Sequence, residues 1–178
     1  MSIPHRLTAD RLREIVDYDP ETGFFVWRHE SRSGFHGSVL MHRQGERAGT
    51  PRKSDGRTVI RIGARTYLSY RLAWLWMTGS WPLLEIDHID GDPTNDSFSN
   101  LRDASRRANQ QNIRKAKRDK RSSEFLGVFA NRPSYKKPWR SAIYAGGRQI
   151  SLGSFDTEEE AHAAYVSAKR RMHEGCTL

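Results

Sequence analysis

Cysteine is nearly absent from this chain: Cys176 is the only one in 178 residues. A lone thiol admits no internal disulfide and excludes a four-ligand zinc site built on thiolates. Long apolar runs are absent too. No stretch of 18 apolar residues occurs, so nothing reads as a membrane span. The opening MSIPHRLTADR has no apolar core and does not read as a signal peptide. These shortages predict a soluble protein of a reducing, intracellular setting. Acid is also in short supply, with 21 Asp+Glu against 30 Lys+Arg, a net charge of +9 and a pI near 10.0. The length suits one domain or two small ones. With little apolar material overall, five Trp and seven Phe must supply much of any core.

The charge is not spread evenly. From Arg102 to Arg121 there are nine basic residues and two acidic ones, so this segment alone carries +7. Nucleic acid is the natural partner for such a block. Just before it lies the opposite pattern. Between Leu83 and Asn100 stand Glu85, Asp87, Asp90, Asp92 and Asp96, with no Lys or Arg. Like charges repel, so crowded carboxylates cost stability unless a cation collects among them. A chain that is basic elsewhere and acidic here suits the delivery of a polyanion to a bound metal ion.

Local signals outline the elements. Thr8 is a candidate N-cap for a helix with Leu12, Ile15 and Val16 on one face. Asp19-Pro20-Glu21-Thr22-Gly23 is a turn, and Phe24 to Trp27 a strand. Residues 29–57 are rich in Gly, Ser, Arg and His and read as loop. Thr58 to Ile62 and Arg65 to Leu68 form a hairpin around Gly63-Ala64. A helix carrying Leu72, Leu75 and Trp76 follows, and Gly79 to Pro82 stops it. Then come a strand at Ile86 to Ile89, a loop of turn formers, a strand at Leu101-Arg102, and a helix capped by Asp103 or Ser105 that runs to about Ile113. Residues 114–123 are a basic polar linker. Beyond it lie three strands, Phe125 to Phe129, Trp139 to Ala145 and Arg148 to Phe155. A capping box at Thr157 to Glu160 then opens a helix with Ala161, Ala164, Tyr165, Ala168 and Met172 on one face.

Within the acidic island, an adjacent Asp87-His88 pair precedes Asn100 by twelve residues, and Asn109 follows nine later. With its neighbours DHIDGD, NLR and NQQN, this constellation resembles the HNH nuclease motif. The resemblance covers about residues 48 to 113, and Tyr18 to Trp27 (YDPETGFFVW) is similar to the segment leading phage-type members. It implies two antiparallel strands and a helix around one divalent metal. The residue types suit phosphodiester hydrolysis. His88 can take a proton from water as the general base. Asp87 is a hard oxygen ligand for magnesium or manganese, and Asn109 can offer a second oxygen. Asn100 can orient the His88 ring or pin the loop. Asn109 stands where the family name expects His, which favours an oxygen-liking metal over zinc. Adjacent strand residues face opposite ways, so Asp87 and His88 share a site only if the strand ends or twists between them. Asp90, Asp92 and Asp96 read as solvated loop residues. An EF-hand fails on Asn95 and Leu101, which stand where that loop needs Gly and Glu.

The last 54 residues resemble the Apetala-type DNA-binding domain of plant ethylene-response factors. The carrying residues are Leu126-Gly127-Val128, Trp139, Ile143, Leu152-Gly153-Ser154-Phe155-Asp156, Glu159-Glu160-Ala161 and Ala164-Tyr165. That family lays a three-stranded sheet in the major groove with a helix behind. Alternation puts Val128, Ile143, Ile150 and Leu152 against the helix. It turns Gly127, Phe129, Asn131, Arg140, Ala142, Tyr144, Gln149 and Ser151 the other way.

The fold class expected is therefore α+β: a ββα-metal (HNH) nuclease core, then a small domain of three-stranded antiparallel sheet plus one helix. The partition is 1–47 an N-terminal helix-strand segment, 48–113 nuclease, 114–123 linker and 124–178 DNA-binding domain. The function expected is a divalent-metal DNA endonuclease of nicking or homing type, acting on double-stranded DNA in a bacterial cytoplasm, phage-encoded or not. It takes no small-molecule substrate, binds no membrane and is a monomer rather than a dimer. DNA contacts are expected from Arg102, Arg106, Arg114, Lys115, Lys117, Arg118, Asn131, Arg132, Lys136, Arg140, Tyr144, Gln149 and Ser151. The rivals are a non-catalytic DNA-binding regulator on a degenerate nuclease fold, against which Asp87 and His88 argue, and an RNA-directed nuclease, against which a major-groove sheet argues.

Overall fold

The computed structural model describes residues 7–33, 35–37, 39–113 and 123–178. Its contacts divide the chain into two compact units, Met1–Ala104 and Ser105–Leu178.

The first unit opens with helix α1, Ala9–Ile15, whose N-terminus is satisfied by Thr8 Oγ1 accepting from the Arg11 N–H at 3.2 Å. Leu12 is fully buried. Val16, expected on the helix face, instead begins strand β1, Val16–Tyr18. β1 pairs antiparallel with β2, Phe25–Trp27, which places Val16 opposite Trp27 and Tyr18 opposite Phe25. Pairing with the next strand thus outweighs one more turn of a short helix for a β-branched residue. Between the strands, Asp19 accepts from the Thr22 hydroxyl and the Glu21 N–H, and these donors hold its carboxyl below the ordinary value. Phe24 falls outside the strand and lies exposed under Arg47, 3.5 Å from its ring centroid.

Residues 29–57 are not all loop. β3, Ser31–Ser33, pairs with β4, Val39–His42, and β5, Thr50–Pro51, pairs with the next strand. These strands escape sequence reading because none of their residues is fully buried and their apolar and polar residues do not alternate. β6, Thr58–Ile62, and β7, Arg65–Leu68, form the expected hairpin. Helix α2, Ser69–Thr78, buries Leu72, Ala73 and Leu75. It stops at Gly79, whose φ of 78° and N–H to the Leu75 carbonyl make a left-handed cap. Strands β8, Glu85–His88, and β9, Leu101–Ala104, pair antiparallel. Their Ile86 and Leu101 enter the same core as Leu12, Val16, Phe25, Ile60, Leu72 and Leu75. That shared core anchors the hairpin whose loop carries the acidic residues.

The second unit begins with helix α3, Arg106–Gln111. Ser105 caps it, accepting from the Ala108 N–H at 3.2 Å. Asp103, the other candidate cap, accepts from the Leu84 N–H instead. Strands β10, Val128–Ala130, β11, Trp139–Ala145, and β12, Arg148–Phe155, form one antiparallel sheet in that order. Gly146 and Gly147 both hold positive φ in the turn between the last two. Helix α4, Glu158–Met172, is capped by Thr157, and the Glu160 carboxylate accepts from the Asp156 N–H. Its buried residues are Ala161, Tyr165, Ala168 and Lys169, whereas Met172 is exposed. One expected exposure differs as well. The register shift between Ser141 and Ala142 leaves Leu152 as an extra residue of β12, and Ala142, paired with Ser151 as alternation expects, is nonetheless buried.

Gly127 has a φ of 77°, and a Cβ there would overlap the Tyr165 ring. Gly127→Ala combines left-handed strain with overpacking, an expected loss of about 2–4 kcal/mol. Urea unfolding followed by Trp139 fluorescence checks this.

Candidate active site

The acidic loop leaves β8 at His88 and returns at Asn100. Of the five acidic residues, the two most deeply buried are each paired. Asp87 is 4% exposed and His88 6%. Asp87 lies opposite Arg102 across the hairpin, and its Oδ2 accepts from Arg102 Nη2 at 2.7 Å and Nε at 2.9 Å. His88 meets other partners: the Tyr70 ring edge-on at 5.2 Å, and the Asp96 carboxylate, which accepts from Nε2–H at 2.9 Å. The two neighbours thus follow the ordinary alternation of a strand, and β8 ends at His88.

Asp96 corrects the sequence reading. It is 4% exposed, not solvated. The segment similar to phage-type leaders explains why. The Tyr18 hydroxyl donates to the Asp96 carbonyl at 2.7 Å. The Phe98 N–H donates to the Pro20 carbonyl at 2.9 Å. Gly23, at φ 74°, packs so close to Asp96 and Ser97 that a Cβ would overlap their backbone. Burial, then the Asp96 and Asp19 charges, pushes the Tyr18 phenol far above its ordinary value, so it stays a donor. The 19–23 turn therefore closes over the loop and holds the Asp96 carboxylate against His88. Nothing in the local sequence of Asp96 signals this, because its neighbours are turn formers and its cover comes from residues 18–23.

Asn100 serves the loop rather than the ring. Its Oδ1 accepts from the Asp90 N–H at 2.9 Å, and its amide donates to the Asp90 carboxylate at 3.0 Å and the Asn95 carbonyl at 2.8 Å. Of the two roles left open for it, the contacts are those of a loop pin. Burial alone would raise the Asp90 carboxyl. The Asp92 N–H, the Asn95 and Asn100 amides and His88 outweigh that and lower it. Asp92 is lowered by the Thr94 hydroxyl and N–H. Asn109 sits half-buried on α3, in the second unit.

The donor set bears on a metal. Among the described residues, no group of three or more His, Cys, Asp and Glu gathers that could hold an ion. Asp87 and Asn109 offer oxygen only, which fits a hard divalent cation, and Asp87 shares its carboxylate with Arg102.

The expected DNA contacts divide into three groups. Arg114, Lys115, Lys117 and Arg118 lie outside the described residues. Arg102 is held by Asp87 instead of standing out in solvent. The Asn131 amide donates to the Lys137 and Trp139 carbonyls and the Ser154 hydroxyl, so its N–H groups serve the β10–β11 loop. Arg106, Arg132, Lys136, Arg140, Tyr144, Gln149 and Ser151 are exposed. Arg140 lies 5.0 Å from the Phe129 ring and Tyr144 pairs with Gln149 across the sheet, so these share its open face with Ser151.

Residues 67–111 match a family model described as an HNH endonuclease. Protein 3.8 of Escherichia phage T7 is 30% identical over 102 residues, which cover 56% of this chain and 80% of that protein. No solved structure matches the chain.

Asp96→Ala leaves the buried Nε2–H of His88 without an acceptor, at an expected cost of about 1–3 kcal/mol. Nitrogen-15 spectra of histidine-labelled protein should show His88 as the Nε2–H tautomer in the wild type and as a mixture in the variant. An unchanged tautomer would show that other contacts orient the ring.

Proposed function

Because this chain belongs to the family of the phage T7 protein 3.8 and carries an HNH endonuclease domain, we propose that it is a divalent-cation-dependent endonuclease of double-stranded DNA whose sheet domain chooses where it acts. The observation that carries the proposal is the buried His88–Asp96 pair on the hairpin of the matched segment. Burying two titratable side chains together is costly unless they satisfy each other, and such pairs gather where proton transfer is needed. With Nε2–H committed to Asp96, His88 takes a proton from an attacking water at Nδ1. Asp96 then faces the imidazolium that forms and stabilises it. Asn100 keeps the loop closed around the pair. Asp87 and Asn109 each carry an oxygen suited to magnesium or manganese, a cation that would neutralise a phosphate oxygen and stabilise the departing 3′ oxygen. Arg102 holds the Asp87 carboxylate in one orientation through two N–H groups.

The substrate follows from charge and shape. A net charge of +9 suits a polyanion. The open sheet face presents Arg140, Tyr144, Gln149 and Ser151, a mixture able to bond base edges, and Arg132 and Lys136 stand exposed nearby in sequence for phosphates. Asn131 contributes by shaping the loop that carries Arg132 and Lys136. A single HNH segment in a monomer cuts one strand per binding event, so nicking is the expected product.

Supercoiled plasmid incubated with magnesium or manganese tests the reading directly. His88→Ala should slow nicking by about 100- to 10,000-fold while DNA binding stays near the wild-type level. Near wild-type nicking by the variant, or none by the wild-type protein with either ion, would overturn the proposal.

The reading face has its own test. Arg140→Ala should weaken cognate binding by about 1–3 kcal/mol if the guanidinium meets a base. If it meets a phosphate, all duplexes weaken alike and the slope of affinity against salt flattens by about one. Titrations of cognate and random duplexes at several salt concentrations distinguish the two, and no effect on either duplex removes this face from the interface.

A further inference from the structure

Helix α3 carries Asn109 and lies inside the segment matched to the nuclease family, yet it belongs to the second compact unit. Its contacts there are specific. The Gly175 N–H donates to Gln111 Oε1 at 3.1 Å. The Thr177 hydroxyl donates to Asn112 Oδ1. The Lys169 ammonium, 1% exposed, donates to the Ile113 carbonyl. Gly175 also packs so closely on α3 that a Cβ would overlap the carbonyl and Cα of Ala108. The grip thus runs from Ala108 to the residues just beyond the end of α3. Arg107 and Gln110 line a cleft of about 520 Å³, whose other walls include Tyr144, Gly146 and His173.

A helix of six residues is too short to be stable alone. It needs a surface that holds it, and the chain end supplies one. Lys169 is the costliest part of this device, because a buried ammonium is tolerated only where acceptors meet it. Its acceptor here is a carbonyl just beyond α3, one that the helix end leaves without an intrahelical partner.

We propose that Lys169, Gly175 and Thr177 are positioning residues for cleavage: they fix the helix that presents Asn109. This rests on the function proposed above and on Asn109 as a cation ligand.

The experiment uses the full-length protein with Gly175→Val, and Thr177→Val as a milder, nearly isosteric variant. Glu174→Ala, one residue away and exposed, is the control. Hydrogen exchange of the peptide spanning residues 106–112 is measured first, without metal. Both variants should speed its exchange, by about tenfold for Gly175→Val, because local opening has become easier. Plasmid nicking is then titrated against magnesium. The concentration for half-maximal rate should rise by about 10- to 100-fold with DNA affinity unchanged, as when a metal ligand loses its support. Simple loss of folded protein lowers the maximal rate without moving that midpoint. Unchanged exchange in both variants overturns the clamp whether or not the wild type cleaves. Faster exchange with an unmoved midpoint overturns its role in cleavage. Absence of nicking by the wild type refutes the nuclease reading itself, and with it this role for the clamp.

Discussion

The closure of the 19–23 turn over the acidic loop is the constraint on which the site depends. His88 is the last residue of β8, paired with Leu101 across the hairpin, and strand pairing fixes its backbone but not its ring. Its ring is held by Asp96, and Asp96 is held by backbone, through the Tyr18 hydroxyl and the close approach of Gly23. A residue at position 23 needs both positive φ and no side chain, so only glycine meets the two conditions at once. The neighbouring bond from the Phe98 N–H to the Pro20 carbonyl fixes the far end of the same loop. The leading segment is thus a wall of the site, although it lies about 70 residues upstream of it.

This closure also answers the electrostatic problem posed by the acidic island. Crowded carboxylates suggest a cation, but here the loop supplies its own donors. Asp87 has Arg102, Asp96 has the His88 Nε2–H, Asp90 has the Asn95 and Asn100 amides, and Asp92 has Thr94. The lowered carboxyls of Asp90 and Asp92 follow from those donors. Crowding alone is therefore not evidence for a metal. What points to one is the residue types of Asp87 and Asn109 together with the family match. Arg102 gains meaning in the same way. A guanidinium on a buried carboxylate is a lasting partner when no cation is present, and it leaves the carboxylate oriented for one.

Elements that announce themselves locally were legible. Thr8, Ser105 and Thr157 each cap the helix that follows, and Gly63-Ala64 and Gly146-Gly147 each turn a hairpin. Asp87, His88, Asn100 and Asn109 could be singled out because their spacing is a property of the chain. What escaped was set by distant contacts. Asp96 looks solvated until Tyr18 and Gly23 cover it. Lys169 looks like one more surface cation on α4, yet it is buried against the end of another helix. In each case the residue type is ordinary and the partner is remote, so no window of sequence contains both.

Read from composition, the chain breaks at its basic linker, with chemistry before it and recognition after. By contacts it breaks at Ala104/Ser105, between the last strand of the hairpin and the helix that completes the matched segment. A short helix has too little surface to form a core of its own and takes its stability from whatever it packs on. Here that surface is the chain end, where Gly175 permits a contact that any side chain would block. Sequence motifs follow the order of chemistry along the chain, whereas folding units follow burial. Where the two disagree, as at α3, a domain boundary drawn from motifs cuts through the contacts that hold the helix.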